Sequence, residues 1–228
     1  MKVGIRIISL FVVCVGLVFL FSCIDIMARQ DTSVEIDKPD QAYVSPNMDF
    51  NQINGLGIFP IFPSDIENPA FADSFSRALT AELQSRQSQW KIIAASDLVG
   101  QINQKDIGRG YKNLQADMNT FSGTTGFGAM TQETTKFLKD LDRLTGANSY
   151  LLGVYGIARQ KGVQQSLLGP VQVNYTICKV KVILYQVNKG IMWDATHTVQ
   201  TTGPIENNAD ALAKSFAAYL GKGTLRQL

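Results

Sequence analysis

Cysteine, histidine and surplus charge are all scarce in this chain, and each scarcity closes off a class of function. Three Cys and one His among 228 residues leave no material for a disulfide scaffold or a metal site built from several His and Cys ligands. Lys and Arg number 21 against 19 Asp and Glu, a formal net charge of +2, which excludes nucleic-acid binding by bulk positive charge. Hydrophobic residues at 45% and charged residues at 18% place the chain among folded proteins rather than disordered, collagenous or coiled-coil ones. Catalytic material is thin as well. His197 is the only imidazole, and Asp194, three residues before it, falls on the opposite face of a strand. Cys178 sits among apolar neighbours and reads as a small core residue. The glycine clusters Gly123-Thr124-Thr125-Gly126-Phe127-Gly128 and Gly221-Lys222-Gly223-Thr224 both lack P-loop spacing, and the second follows a helix instead of preceding one. These absences predict a protein that is not an enzyme and holds no cofactor or metal.

What is present begins with an address. Lys2 and Arg6 precede an uncharged, mostly apolar run over residues 7–21, fifteen long. That is the length of a secretory signal core and short of the roughly 20 residues a spanning helix prefers. An ordinary cleavage site wants small residues at −1 and −3. With Cys23 at +1, Ser22 at −1 fits and Leu20 at −3 does not. Leu20-Phe21-Ser22-Cys23 instead resembles the lipobox of bacterial lipoproteins, in which the Cys becomes an acylated N-terminus. The resemblance makes residues 1–22 a lipoprotein signal peptide, with Leu20, Phe21 and Ser22 as the signal-peptidase recognition residues and Cys23 as the lipidation site. The alternative is an uncleaved anchor using the run extended to Ile24. Removing 22 of the 228 residues, Lys2 and Arg6 among them, leaves 206 residues with 19 basic and 19 acidic side chains. Family signals that retain a lipoprotein on the inner membrane place Asp directly after the Cys. Here Ile24 stands there and Asp25 follows, so the resemblance implies the periplasmic face of the outer membrane, with the inner membrane as the alternative.

Residues 23–50 read as the lipidated Cys and a flexible acidic tether. The segment after Cys23 has no sustained period, carries Pro39 and Pro46, and holds six acids against two bases. Residues 51–228 read as a single α/β domain, long enough for one substantial core.

The element order expected there is β-α-β-α-α-β-β-β-α, a mixed sheet with helices packed on it. Residues 52–62 read as a strand that Pro60 ends or confines to an edge. Asn68 and Pro69 cap and start a helix with Phe71, Phe75, Leu79 and Leu83 inward. A strand over 90–94 leads to a short helix capped by Ser96. A short helix over 112–118 and a glycine-bearing loop over 119–130 precede a helix over 131–145, stopped by Gly146. Strands follow over 149–159, 171–187 and 191–202, with a loop over 162–170 and a turn at Asn188-Lys189-Gly190. Between Val171 and Leu184 the apolar parity switches, which calls for a bulge or for burial on both faces. A last helix carries Leu212, Phe216 and Leu220.

Three segments, Gly57-Ile58-Phe59-Pro60, residues 145–153 and Asn188-Lys189-Gly190-Ile191-Met192-Trp193, resemble the periplasmic α/β fold shared by the curli-export lipoprotein CsgG, the penicillin-binding-protein activator LpoB and the N-terminal domain of TolB. Asn148 stands where that family has Asp. The resemblance implies a lipid-anchored periplasmic accessory that docks a partner in cell-wall synthesis, in a secretion or pilus complex, or in a flagellar motor. Its alternative is a subunit of an oligomeric outer-membrane export channel of the curli type. Expected partners are the membrane, through acyl chains, an envelope protein, and further copies of the chain. Tyr111, Phe121, Phe127 and Met130 are the candidate partner contacts, because aromatics and Met in a long loop suit an interface core.

Overall fold

In the computed structural model, residues 38–225 are described, apart from 88, 106, 123–129 and 167–168. Eight strands form one sheet: β1 (Gln41–Val44), β2 (Gly55–Ile58), β3 (Phe62–Pro63), β4 (Lys91–Ile93), β5 (Ser149–Ser166), β6 (Gly169–Gln186), β7 (Gly190–Thr201) and β8 (Thr224–Leu225). Five α-helices accompany them among the described residues: α1 (Pro69–Arg86), α2 (Ala95–Gln104), α3 (Gly108–Ser122), α4 (Gln132–Thr145) and α5 (Ala209–Tyr219). Strand order is β4-β2-β5-β6-β7-β1-β8, with β3 also beside β5. The β4, β2 and β5 strands run parallel, whereas β5, β6, β7 and β1 are antiparallel in turn. The sheet is therefore mixed, as the element order predicts.

Alternation along the central strands sorts side chains into two cores. Leu56, Leu151, Tyr155, Val180, Val182, Leu184 and Trp193 point to one face, where the Phe71/Phe75/Leu79/Leu83 stripe of α1 and Leu212 and Phe216 of α5 cover them. Tyr150, Leu152, Val154, Ile183 and Tyr185 point to the other face, under Leu98 of α2, Leu114 and Met118 of α3, and Phe137, Leu138 and Leu141 of α4. The inner half of β6 is thus buried on both faces, and this accounts for the parity switch. The one register irregularity between β6 and β7 falls later, at Leu184/Tyr185.

Local chemistry starts and stops these elements largely where expected. Asn68 Oδ1 accepts from Phe71 N at 3.0 Å and Pro69 opens α1. Thr131 caps α4, and Gly146, at φ 72°, ends it in the left-handed conformation that favours glycine. Lys189 N donates to Gln186 O at 3.0 Å and closes the β6–β7 turn, with Asn188 at φ 69°. Asn148 ties the start of β5 to the segment before β2. Its Oδ1 accepts from Asn54 N at 3.1 Å, and its amide donates to Gln52 O at 2.7 Å, which an Asp could not do.

Several expectations are corrected. The strand read over 52–62 is two strands, β2 and β3, separated at Phe59 to Ile61, because Pro60 offers no N–H for a continuous ladder. Ser96 is not a cap; the helix starts at Ala95 with Ala94 as N-cap and no side-chain cap bond. The helix read over 112–118 runs over Gly108–Ser122, and Leu114, Met118 and Phe121 form its buried stripe. The loop read over 162–170 is mostly strand. β5 continues to Ser166 and β6 starts at Gly169. The tether read to residue 50 ends earlier, since Gln41–Val44 pairs with β7 and buries Val44. That pairing covers the edge of β7, an unpaired row of backbone donors and acceptors that needs a partner.

Candidate functional site

The long β5–β6 hairpin leaves the domain as a two-stranded ribbon. β7 pairs with β6 only from Thr176 onward, and β3 pairs with β5 only at Val154 and Tyr155. Beyond them the two strands pair with each other alone, Gln160 with Tyr175 through Ser166 with Gly169. At 3.3–3.4 Å per residue the ribbon projects about 20 Å.

Residues directly opposite in an antiparallel pair share a face. One face of the ribbon carries the pairs Gln160/Tyr175, Gly162/Val173 and Gln164/Val171, and runs on into the sheet at Ala158/Ile177. On β6 this is an unbroken apolar stripe of Val171, Val173, Tyr175 and Ile177. The other face carries Arg159/Thr176, Lys161/Asn174 and Val163/Gln172 and is mainly polar. Val171 is 49% exposed. Tyr175 lies diagonally across the ribbon over Gly162, where an added Cβ would sit 2.5 Å from the ring, so only glycine admits that contact. An isolated two-stranded ribbon is marginally stable in water. This one also presents open edges, blunted in places by Lys161 and by Pro170, which lacks an N–H.

The contacts expected from sequence lie elsewhere and mostly face inward. Phe121 is 2% exposed in the core under α3. Tyr111 is half-buried, stacked on Phe59 with ring centroids 6.0 Å apart, and burial raises its pKa. Met130 packs partly buried against the same core. Phe127 lies outside the described residues, as do Leu20, Phe21, Ser22 and Cys23. Phe121 can meet a partner only by leaving the core, whereas the ribbon is exposed. Sequence reasoning missed it although the Val171/Val173/Tyr175/Ile177 alternation was visible, because Gly162, Gly169 and Pro170 read as turn residues.

The remaining chemical candidates are interior. His197 and Asp194 point to opposite faces, as their spacing predicts. His197 is 3% exposed; its Nε2 lies 2.7 Å from Ser215 Oγ on α5, and its ring meets Phe216 edge-on. Burial lowers the His197 pKa, with the charge of Asp40 opposing that shift, so the ring is neutral at pH 7. The Cys178 thiol is buried, and desolvation pushes its pKa up to about 12, which keeps it protonated and unreactive. No helix among the described residues is long and apolar enough to cross a membrane, and these residues hold no cluster of three or more His, Cys, Asp or Glu fit for a metal.

The class this geometry defines is an α/β/α layered domain with a protruding β-ribbon. Among solved structures the chain is similar to the PelC dodecamer from Paraburkholderia phytofirmans. Identity is 14% and the TM-score 0.41, with 82% of this chain and 97% of that one covered. A point variant of that dodecamer matches at 13% identity and TM-score 0.39, covering 72% and 87%. No protein-family model matches the chain, and no curated protein does.

Proposed function

We propose that this chain is a lipid-anchored accessory protein on the periplasmic face of the outer membrane, where its β-ribbon docks a partner in a cell-envelope assembly. The ribbon carries the reading: it is the one long feature among the described residues that pairs with nothing beyond itself while bearing an apolar stripe. A free strand edge can accept a partner strand, and alternate side chains then supply specificity. The sequence Leu20-Phe21-Ser22-Cys23 supports the anchor. Confinement by acyl chains raises the effective concentration of the ribbon near any membrane-bound partner, and two or more chains make attachment stable.

The ribbon also favours a second reading, a subunit of an oligomeric export channel. Membrane-crossing strands need about 9 to 11 residues each. The segments free of a third strand, 160–166 and 169–175, are seven residues each, but they continue into the longer strands β5 and β6, and one strand shows the alternation a crossing strand needs. The loop read over 162–170 from sequence left no room for this.

Two experiments divide the readings. With Cys23→Ala the chain should leave the membrane fraction and its mass should lack a fatty-acid adduct; a variant that stays membrane-bound after processing removes the anchor. Replacing residues 160–175 by a two-residue turn should abolish cross-linking to the envelope partner while leaving the thermal midpoint unchanged. Rings in detergent that disappear with the same replacement would establish the channel instead.

A further inference from the structure

The two edges of the ribbon are not equivalent. Phe59 N donates to Leu151 O at 3.0 Å and Ser64 N to Tyr155 O at 2.8 Å, so the odd-numbered residues of β5 turn their backbone groups away from β6. The β5–β6 register carries no shift, and the same parity holds along the ribbon. The N–H and C=O groups of Arg159, Lys161, Val163 and Gln165 therefore point outward. All four residues are exposed, and no strand among the described residues pairs with them on that side. On β6 the outward residues beyond the end of β7 are Asn174, Gln172 and Pro170, and Pro170 has no N–H. The β5 edge is the longer acceptor for a further strand.

Its two faces suit different side chains. Arg159 and Lys161 share one face, and neither forms an ion pair with a described acid. On the other face Gly162 has no side chain, and the Tyr175 ring lies over it beside Val173. An added strand lays alternate side chains on the two faces. Acids therefore fit the first face, and β-branched apolar residues fit the second. The sequence Asp31-Thr32-Ser33-Val34-Glu35-Ile36-Asp37 has this pattern: Asp31, Ser33, Glu35 and Asp37 at one parity, Thr32, Val34 and Ile36 at the other.

The segment cannot reach the ribbon of its own chain. Gln41 is held on β1, level with Thr196, Lys181 and Val154. A strand outside β5 lies four interstrand steps away, and Arg159 is five residues beyond Val154. At about 4.8 Å per step and 3.3 Å per residue, the separation is about 25 Å. The four residue steps from Asp37 to Gln41 span at most about 14 Å.

We infer that residues 31–37 of one chain add as a strand to the β5 edge of a second copy. Each chain then offers one donor strand and one acceptor edge, a head-to-tail contact that builds rings or filaments. The inference rests on the ribbon being a docking surface and names a second copy as a partner it takes.

Two proline substitutions test it away from both cores. The Val163 N–H points away from β6, so Val163→Pro blocks the acceptor edge and keeps the hairpin ladder. Val34→Pro blocks the donor strand. The full-length chain is brought to sedimentation equilibrium in density-matched detergent. Wild type should give multiples of the single-chain mass. Each variant alone should give one chain mass at an unchanged thermal midpoint. The two variants mixed should stop at two chains, because only one donor and one acceptor remain between them. Replacing Arg159 and Lys161 by Glu should weaken association about tenfold at low salt, and adding Glu35→Lys and Asp37→Lys should restore it. Oligomers that either proline leaves intact, or a mixture that stays at one chain mass, overturn the inference. A wild type of one chain mass overturns it too; if the ribbon is still needed for cross-linking to the envelope partner, the docking reading stands without it. A single-chain wild type whose amides 159–165 resist hydrogen exchange until Val34→Pro is introduced would put the strand on its own ribbon, against the reach derived above.

Discussion

His197 was legible as a hydrogen-bonded strand residue, but its partner was not, because Ser215 lies on a separate helix. The buried imidazole and the Ser215 hydroxyl satisfy each other at 2.7 Å. Ser215→Ala leaves a buried ring nitrogen unpaired and should cost about 1–3 kcal/mol in urea unfolding at pH 7.5. The pH dependence has a defined sign. Burial holds the folded pKa below the ordinary value of 6.5, so between the two values the unfolded chain binds more protons than the folded one. The neutral ring's contribution is complete above about 6.5 and declines as pH falls toward the folded value. Wild type should therefore lose stability from pH 7.5 to pH 5 by a larger margin than His197→Gln, both followed by urea midpoints. Equal slopes would place the acid sensitivity in other groups. Asn148 shows the same limit of sequence reading: its departure from the expected Asp was visible, but its bond to Gln52 O was not.

At the scale of elements, periodic and capped segments were readable and half-exposed ones were not. α1 carries a cap and a stripe, and α4 a cap, a stripe and a stop, within their own sequence, and both start where those signals put them. α3 carries the Leu114/Met118/Phe121 stripe, but Gly108 and Gly110 hide its first turn. Gly110 is there because the Phe137 ring of α4 would lie 2.4 Å from a Cβ. The ribbon was misread for a related reason. No third strand or helix covers it, so its sequence needed no run of core residues and kept its turn-like glycines and proline. Gly162→Val tests this independence. A branched side chain displaces Tyr175 from its place across the ribbon and should open the hairpin locally. Limited proteolysis should then cut within residues 160–175 much faster than in wild type. The global unfolding free energy should change by less than about 0.5 kcal/mol, as for changes away from any core. A large global loss would show that the ribbon is part of the folded core.

For the whole molecule, the least legible feature was how the two ends of the domain close the sheet. β1 is four residues long and β8 only two, too short for any period to declare them. They matter because they stack in order on β7. Trp193 of β7 also donates from Nε1 to Lys222 O at 3.0 Å, holding the C-terminal segment, while Phe50 stacks on Trp90 at 5.4 Å. This places residues 41–44, read from sequence as part of the tether, within the sheet. The closure also makes Val44 a test of the sheet edge. It is 8% exposed and belongs to the core under α1 and α5, whose other members here include Trp193 and Met192. Val44→Asp places an unpaired carboxylate in that core, and expelling β1 is less costly than burying the charge. Among the described residues β8 pairs only with β1 and should detach with it. Hydrogen exchange should therefore quicken together in peptides covering 41–44, 191–196 and 219–225. The β5–β6 pairing between residues 149 and 157 should stay protected, because both cores still cover it. Fast exchange confined to 41–44 would mean that β8 and the edge of β7 hold without β1.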